Sequence, residues 1–268
     1  MKFIFRWLGN AGYEFRLEKN ILLVDPFLTR PRQEQIFFGR AGVDNEAIGA
    51  HVKECDHILV SHAHFDHFMD VPEIAACTGA IMHGSANTCV LAQKLGIPEA
   101  QFHRIYAGDE FEIDGIKVKA IPAQHPWIPG YTCGQIRKDL KIPPRLRDYR
   151  MDSCLSFLIS IRGMRILVWS STGTDYAEEA DVLICRAVSD ELWYARMMES
   201  VKPRLVIPSH WDDMFRPLSE STRPYFSPPR PVLPPIKRID LGEFEHKVKK
   251  AKPDCEVLVP ERFKEYLV

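Results

Sequence analysis

His57-Ile58-Leu59-Val60-Ser61-His62-Ala63-His64-Phe65-Asp66-His67 is the stretch on which the reading of this chain turns. Its first half is a short apolar run that reads as a buried strand. Its second half packs three imidazoles and one carboxylate into six residues, a density that no helix or core requires. A helix start is expected just beyond, at Asp70 with Glu73 completing a capping box, so the cluster falls on a strand-to-helix turn. On an extended approach His62 and His64 point the same way, because side chains alternate with period two, and the turn brings Asp66 and His67 back beside them. A lone histidine is ordinarily a surface residue or a satisfied core one. Four convergent donors are instead what divalent zinc, iron or manganese accepts.

The pattern His-x-His-x-Asp-His after an apolar strand resembles the signature of the metallo-β-lactamase superfamily, most of whose members are hydrolases. The resemblance implies an α+β fold: an αββα sandwich of two mixed β-sheets face to face, helices outside, and a one- or two-metal site at one edge between the sheets. Two further buried strands end in histidine. Residues 116–121 lead to Pro122-Ala123-Gln124-His125, and 205–208 lead to Ser209-His210-Trp211. By resemblance, His62, His64 and His125 hold one metal, while Asp66, His67 and His210 hold the other. The same resemblance makes metal-bound hydroxide the nucleophile and gives Asp66 the task of orienting it. For Asp25, at the end of an apolar strand over 21–24, the resemblance implies an acceptor behind a ligand histidine, and its place before Pro26 equally suits a turn cap.

The resemblance departs from its pattern at Ser170-Ser171-Thr172-Gly173. Family members with two bridged metals often show Gly-Asp-Thr-Gly here, and Ser171 stands where the bridging Asp would be. A hydroxyl is a poorer zinc ligand than a carboxylate, so one or two divalent ions are expected, the second held less tightly. Zinc comes first, with manganese or iron also compatible. The altered bridge leaves a second class open, a non-catalytic metal-binding or sensing protein. Thr172-Gly173 and His210-Trp211 look closer to lactonase-like and phospholipase D-like branches than to antibiotic lactamases. An ester, lactone or phosphodiester bond in a small or lipid-like molecule is therefore the expected target.

Composition is compatible with this reading. The chain has 268 residues, 46% hydrophobic and 26% charged, with a net charge of -1, which suits one globular domain over 1–268 and gives no case for nucleic-acid binding. Seven cysteines without a Cys-x-x-Cys pair argue against a disulfide framework or a thiolate zinc site and point to a reducing, cytoplasmic setting. No apolar run approaches the roughly 20 residues of a membrane span, and a soluble protein without a signal peptide is expected. Neither Gly-x-Ser-x-Gly nor Gly-x-x-x-x-Gly-Lys competes for the chemistry.

Hairpins are expected about 9–12, 114–115 and 162–164, helices over 86–95 and after a Ser189 cap, and a last strand over 256–259. Residues 29–50 read as a long loop, 126–152 as an insertion at the mouth of the site rather than sheet, and the Pro-rich 217–235 as a surface loop near the site. Lys247, Lys249, Lys250 and Lys252 read as a solvated face. Within the insertion, Arg137, Lys138, Lys141, Arg145, Arg147 and Arg150 face only Asp139 and Asp148. That excess has two readings: an anion-recognising surface acting through Arg145 and Arg147 on an anionic substrate, or a solvated face.

Overall fold

The computed structural model describes residues 3–17, 20–35, 39–40, 42–125, 131–170, 176–226 and 238–268. The chain opens with a hairpin, β1 (Ile4–Gly9) and β2 (Gly12–Leu17), whose turn places Gly9 and Asn10 at positive φ. Next come β3 (Asn20–Val24), β4 (His57–Leu59), β5 (Ile81–Gly84) and β6 (Phe102–Arg104). A second hairpin joins β7 (Glu110–Ile113) to β8 (Ile116–Ala123) through Asp114 and Gly115, both at positive φ, as a two-residue turn of that twist requires. A small ribbon, β9 (Thr132–Cys133) and β10 (Arg150–Met151), precedes β11 (Cys154–Ile161), β12 (Met164–Trp169), β13 (Val182–Arg186) and β14 (Leu205–Ser209). The last strands are β15 (Glu256–Val257) and β16 (Glu265–Leu267).

These strands form two seven-stranded mixed sheets, in the orders β16-β1-β2-β3-β4-β5-β6 and β15-β14-β13-β12-β11-β8-β7. Alternation along the strands decides which layer each residue enters. Phe5, Trp7, Tyr13, Phe15, Leu22, Val24 and Leu59 join the core that the first sheet shares with the second. Their neighbours Leu8, Ile21, Leu23, Ile58 and Val60 turn to the opposite face. That outer face is covered by helices at Phe65–Phe68, Val71–Thr78 and Ala86–Lys94, which bury Phe65, Phe68, Val71, Ile74, Leu91 and Ala92. Helices Glu191–Val201 and Leu241–Ala251 pack Trp193, Tyr194, Met197, Phe244 and Val248 into the core of the second sheet. The arrangement is the αββα sandwich expected.

Local departures have local causes. Asp70 makes no capping bond, because its carboxylate accepts from the Leu28 and Thr29 amides at 2.6 and 2.8 Å and from Thr29 Oγ1 at 2.6 Å. Glu73 instead accepts from Cys77 Sγ, one turn along. Asp190, not Ser189, caps the Glu191 helix. The expected loop over 29–50 contains a helix, Asn45–His51, capped by Asp44; Ile48 is its one buried residue, too little to show a period. The 126–152 segment contains the β9–β10 ribbon. Lys247, Lys249 and Lys250 lie on the Leu241–Ala251 helix, whose buried residues are Phe244 and Val248, and Lys252 caps its end; Lys247 is half-buried and donates to the Ser189 carbonyl.

Candidate metal centre

Strand ends build the site. β4 delivers Ser61 and His62, β8 delivers His125 two residues beyond its end, and β14 delivers His210 immediately after Ser209. His64, Asp66 and His67 follow on the short helical turn Phe65–Phe68. Two groups result: ligand atoms of His62, His64 and His125 in one, and of Asp66, His67 and His210 in the other, each set lying within 4.8 Å of one another. The groups adjoin, with the His62 and His67 rings 4.0 Å apart between centroids.

The hydrogen bonds aim the rings. His67 Nδ1 meets Asp25 Oδ2 at 2.8 Å, and that carboxylate also accepts from the Ser61 amide at 2.7 Å and from Ser61 Oγ at 2.6 Å. Asp25 thus stands behind His67. Ser61 Oγ lies 2.9 Å from His62 Nδ1, and His64 Nε2 lies 3.2 Å from the Thr132 carbonyl. The opposite nitrogens, His62 Nε2 and His64 Nδ1, are buried without a partner, as is Asp66 Oδ1. Buried polar atoms are ordinarily satisfied, so three orphans on these neighbouring residues need an explanation. A cation fits them. Imidazole nitrogens and a carboxylate oxygen, with outer nitrogens already bonded, are the donor set of a divalent transition-metal site.

Electrostatics keeps the donors available. Burial, reinforced by neighbouring imidazoles, holds the His62 pKa well below its ordinary value. Burial brings His64 down to about 4 and His125 to about 3. Burial also lowers His210, despite the Asp66 carboxylate 3.3 Å away. His67 moves the other way: burial would lower it, but Asp25 and Asp66 raise it. Burial would raise Asp66, yet His67 and His210 hold it far down, so it is a carboxylate at any ordinary pH. Metal ligands must be deprotonated, and most of this set already is at neutral pH.

Several residues around the site were not singled out from the sequence. Asn10, at φ 52°, donates from Nδ2 to Asp66 Oδ2 at 3.2 Å, and its carbonyl accepts from the His210 amide at 3.1 Å. The Asn10 amide in turn donates to Asp212 Oδ1 at 2.7 Å, and Asp212 faces the buried Arg30 at 3.6 Å. A polar residue between two glycine-flanked aromatic strands was the available signal. His210 itself sits at φ 56°, a left-handed conformation uncommon for any residue but glycine. Tyr131 packs its ring 4.9 Å from His64, and burial together with Asp66 keeps its hydroxyl protonated. Arg186, at the end of β13, acts on His67, His125 and His210 by its charge. Arg145 and Arg147 line a cavity beside these groups rather than among them. Ser171, with Thr172 and Gly173, lies outside the described residues, as do 126–130 of the insertion and 227–235 of the Pro-rich loop.

Two facing sheets with histidine-rich strand ends at one edge define a metal-binding sandwich. Comparison agrees: residues 20–192 match the model of the β-lactamase superfamily domain, and the chain belongs to the metallo-β-lactamase superfamily. Among curated proteins it is 34% identical over 121 residues to a UPF0173 metal-dependent hydrolase of Pyrobaculum arsenaticum, a match covering 45% of this chain and 49% of that one. The chain thus spans about half the length of this relative. A UPF0173 metal-dependent hydrolase of Carboxydothermus hydrogenoformans is 26% identical, covering 95% of this chain and 96% of that protein. Among solved structures, Igni18, a metallo hydrolase from Ignicoccus hospitalis, superimposes with a TM-score of 0.65 at 18% identity, covering 100% of this chain and 99% of that one. That likeness is one of fold.

Proposed function

We propose that the protein is a single-domain, cytoplasmic, metal-dependent hydrolase that cleaves an ester, lactone or phosphodiester bond in a small or lipid-like molecule. The observation that carries this reading is the trio of orphaned buried atoms, His62 Nε2, His64 Nδ1 and Asp66 Oδ1, within two groups of ligand geometry. His62, His64 and His125 would hold one ion; Asp66, His67 and His210 would hold a second. A nitrogen-rich, thiolate-free set suits zinc first, then manganese or iron. The naming of UPF0173 relatives as metal-dependent hydrolases supports the activity. Seven free cysteines support the reducing compartment, and no helix among the described residues is long and apolar enough to cross a membrane.

When bound, the ion supplies Lewis acidity and makes a nucleophile available from water at neutral pH. Asp66, a carboxylate restrained at Oδ2 by Asn10 beside His67 and His210, would accept a hydrogen bond from the attacking water and so orient it. Tyr131 presents a protonated hydroxyl and packs edge-on against the His64 ring, which it would help to hold in place. Arg186 brings positive charge towards the place where the cleaved group becomes negative.

Turnover of a panel of ester, lactone and phosphodiester substrates, lost on chelation and restored by metal, tests the reading. Silence across the panel with metal bound would overturn it and favour a metal-binding sensor.

A further inference from the structure

Thr132 faces two ways. Its carbonyl meets His64 at the metal centre, and the residue also lines a cavity of about 440 Å³ whose basic side chains are Arg40, Arg137, Lys141, Arg145, Arg147 and Arg150. Only Asp139 and Asp148 oppose these six cations, in a molecule whose net charge is -1. Asp139 is taken up by Arg137, which it meets at 2.7 and 3.0 Å, and Asp148 accepts from the Arg145 amide at 3.0 Å. Among the described residues, no hydrogen bond or ion pair engages the side chains of Lys141, Arg145 or Arg147. Arg137, Lys141, Arg145 and Arg147 are exposed, yet they ring a concavity and do not fan out over a convex face.

The wall that carries them is fixed. Asn87, itself buried, donates from Nδ2 to the Gly134 and Arg150 carbonyls at 2.8 and 2.6 Å. Ser85 Oγ donates to Asp152 Oδ1 at 2.7 Å. Ile136, Leu146 and Tyr149 are buried in the core beneath the outer helices. The backbone beneath the cations is thereby held, so that binding an oxyanion has only their side chains to order, and guanidinium forks match it with paired hydrogen bonds.

We propose that this cavity binds a multiply charged oxyanion of phosphate type, borne by the substrate whose scissile bond reaches the metal centre on the other side of Thr132. This rests on the hydrolase reading for the word substrate, but not for the anion site itself. A charge excess of this size calls for more than one negative charge, and a monoanion would leave the repulsion largely in place.

Two measurements on the metal-loaded full chain test it. Calorimetric titration with inorganic pyrophosphate at low salt is expected to show binding that weakens at least tenfold in the Arg145→Gln/Arg147→Gln double variant and falls steeply with added salt. Equal affinity in wild type and variant would place the anion on the metal instead, and no binding would remove the site; either overturns the proposal. In parallel, a phosphorylated ester and its uncharged counterpart are compared as substrates. The preference in kcat/KM for the phosphorylated ester should collapse in the variant, and a preference that survives would show that the bound anion is free phosphate rather than part of the substrate, overturning that half. Loss of pyrophosphate binding in the variant, together with silence of the whole ester, lactone and phosphodiester panel, would keep the anion site and sink the hydrolase.

Discussion

Asn10 carries more of the site than its place in a hairpin turn suggests. Its amide fixes Asp66 Oδ2, its carbonyl fixes the strained His210 backbone, and its own N–H is tied to Asp212. Asn10→Gly is the informative change, because glycine tolerates φ 52° and only the side-chain amide is lost. Losing such an outer partner is expected to weaken metal binding about ten- to a hundredfold, as read by competition with a chromogenic chelator. An unchanged affinity would mean that Asp66 needs no such restraint. A second residue-level prediction lies away from the metal. His83 is buried between His57, 3.2 Å away, and the Phe111 ring, and burial first, then His57 and His103, lowers its pKa to about 3. A histidine near 6.5 when unfolded and about 3 when folded binds its proton only in the unfolded chain between those values. Its contribution to stability is therefore intact above about pH 6.5 and declines as pH falls towards 3. His83→Gln should flatten the acid limb of Tm against pH over that window; an identical limb would locate the acid sensitivity elsewhere.

At the level of elements, the β9–β10 ribbon couples the surface to the centre, because Asn87 pins it while Thr132 steadies His64. Asn87→Ala leaves two backbone carbonyls without their donor. It should cost about 1–3 kcal/mol in urea denaturation and weaken metal binding as well. Loss of stability with unaltered metal affinity would show that ribbon and centre are independent. The same ribbon marks where the sequence stops being legible. Strands with dense apolar runs and hairpins with Asp-Gly or Arg-Gly turns announce themselves through local chemistry, and so does a histidine at the end of such a strand. A two-residue strand such as Thr132–Cys133 has no period to detect, and its pairing with Arg150–Met151 is set by Asn87 from another element. Asp70 shows the same limit: the acid has a cap's position, but Leu28 and Thr29, far back in the chain, claim it. His62, His64, His125 and His210 could be picked out from their strands. Asn10, Ser61 and Thr132 could not, because their roles arise only where separate strands meet.

On the scale of the whole molecule, the proposed ions would join the two sheets. His62, His64, Asp66 and His67 follow a strand of the first sheet, while His125 and His210 follow strands of the second. Removing metal should therefore loosen the sandwich as a unit. With free metal a thousandfold above Kd, chelation is expected to withdraw about 4 kcal/mol, seen as a fall in Tm that His210→Ala reproduces. Full Tm in chelator would refute the metal clamp. The margins of the same sheets bear on a different matter. Each sheet ends in short strands, β16 and β6 on one and β15 and β7 on the other, of two to four residues. Every one of them carries charge: Glu265, Arg104, Glu256, and the exposed pair Glu110 and Glu112. An unpaired strand edge is a template for another chain, and short, charged edges deny that template. Glu110→Val/Glu112→Val should make light scattering rise with time at concentrations where the parent stays clear. The outermost glutamates thus act as guards against amyloid-like growth, keeping two large open sheets from extending into a fibre.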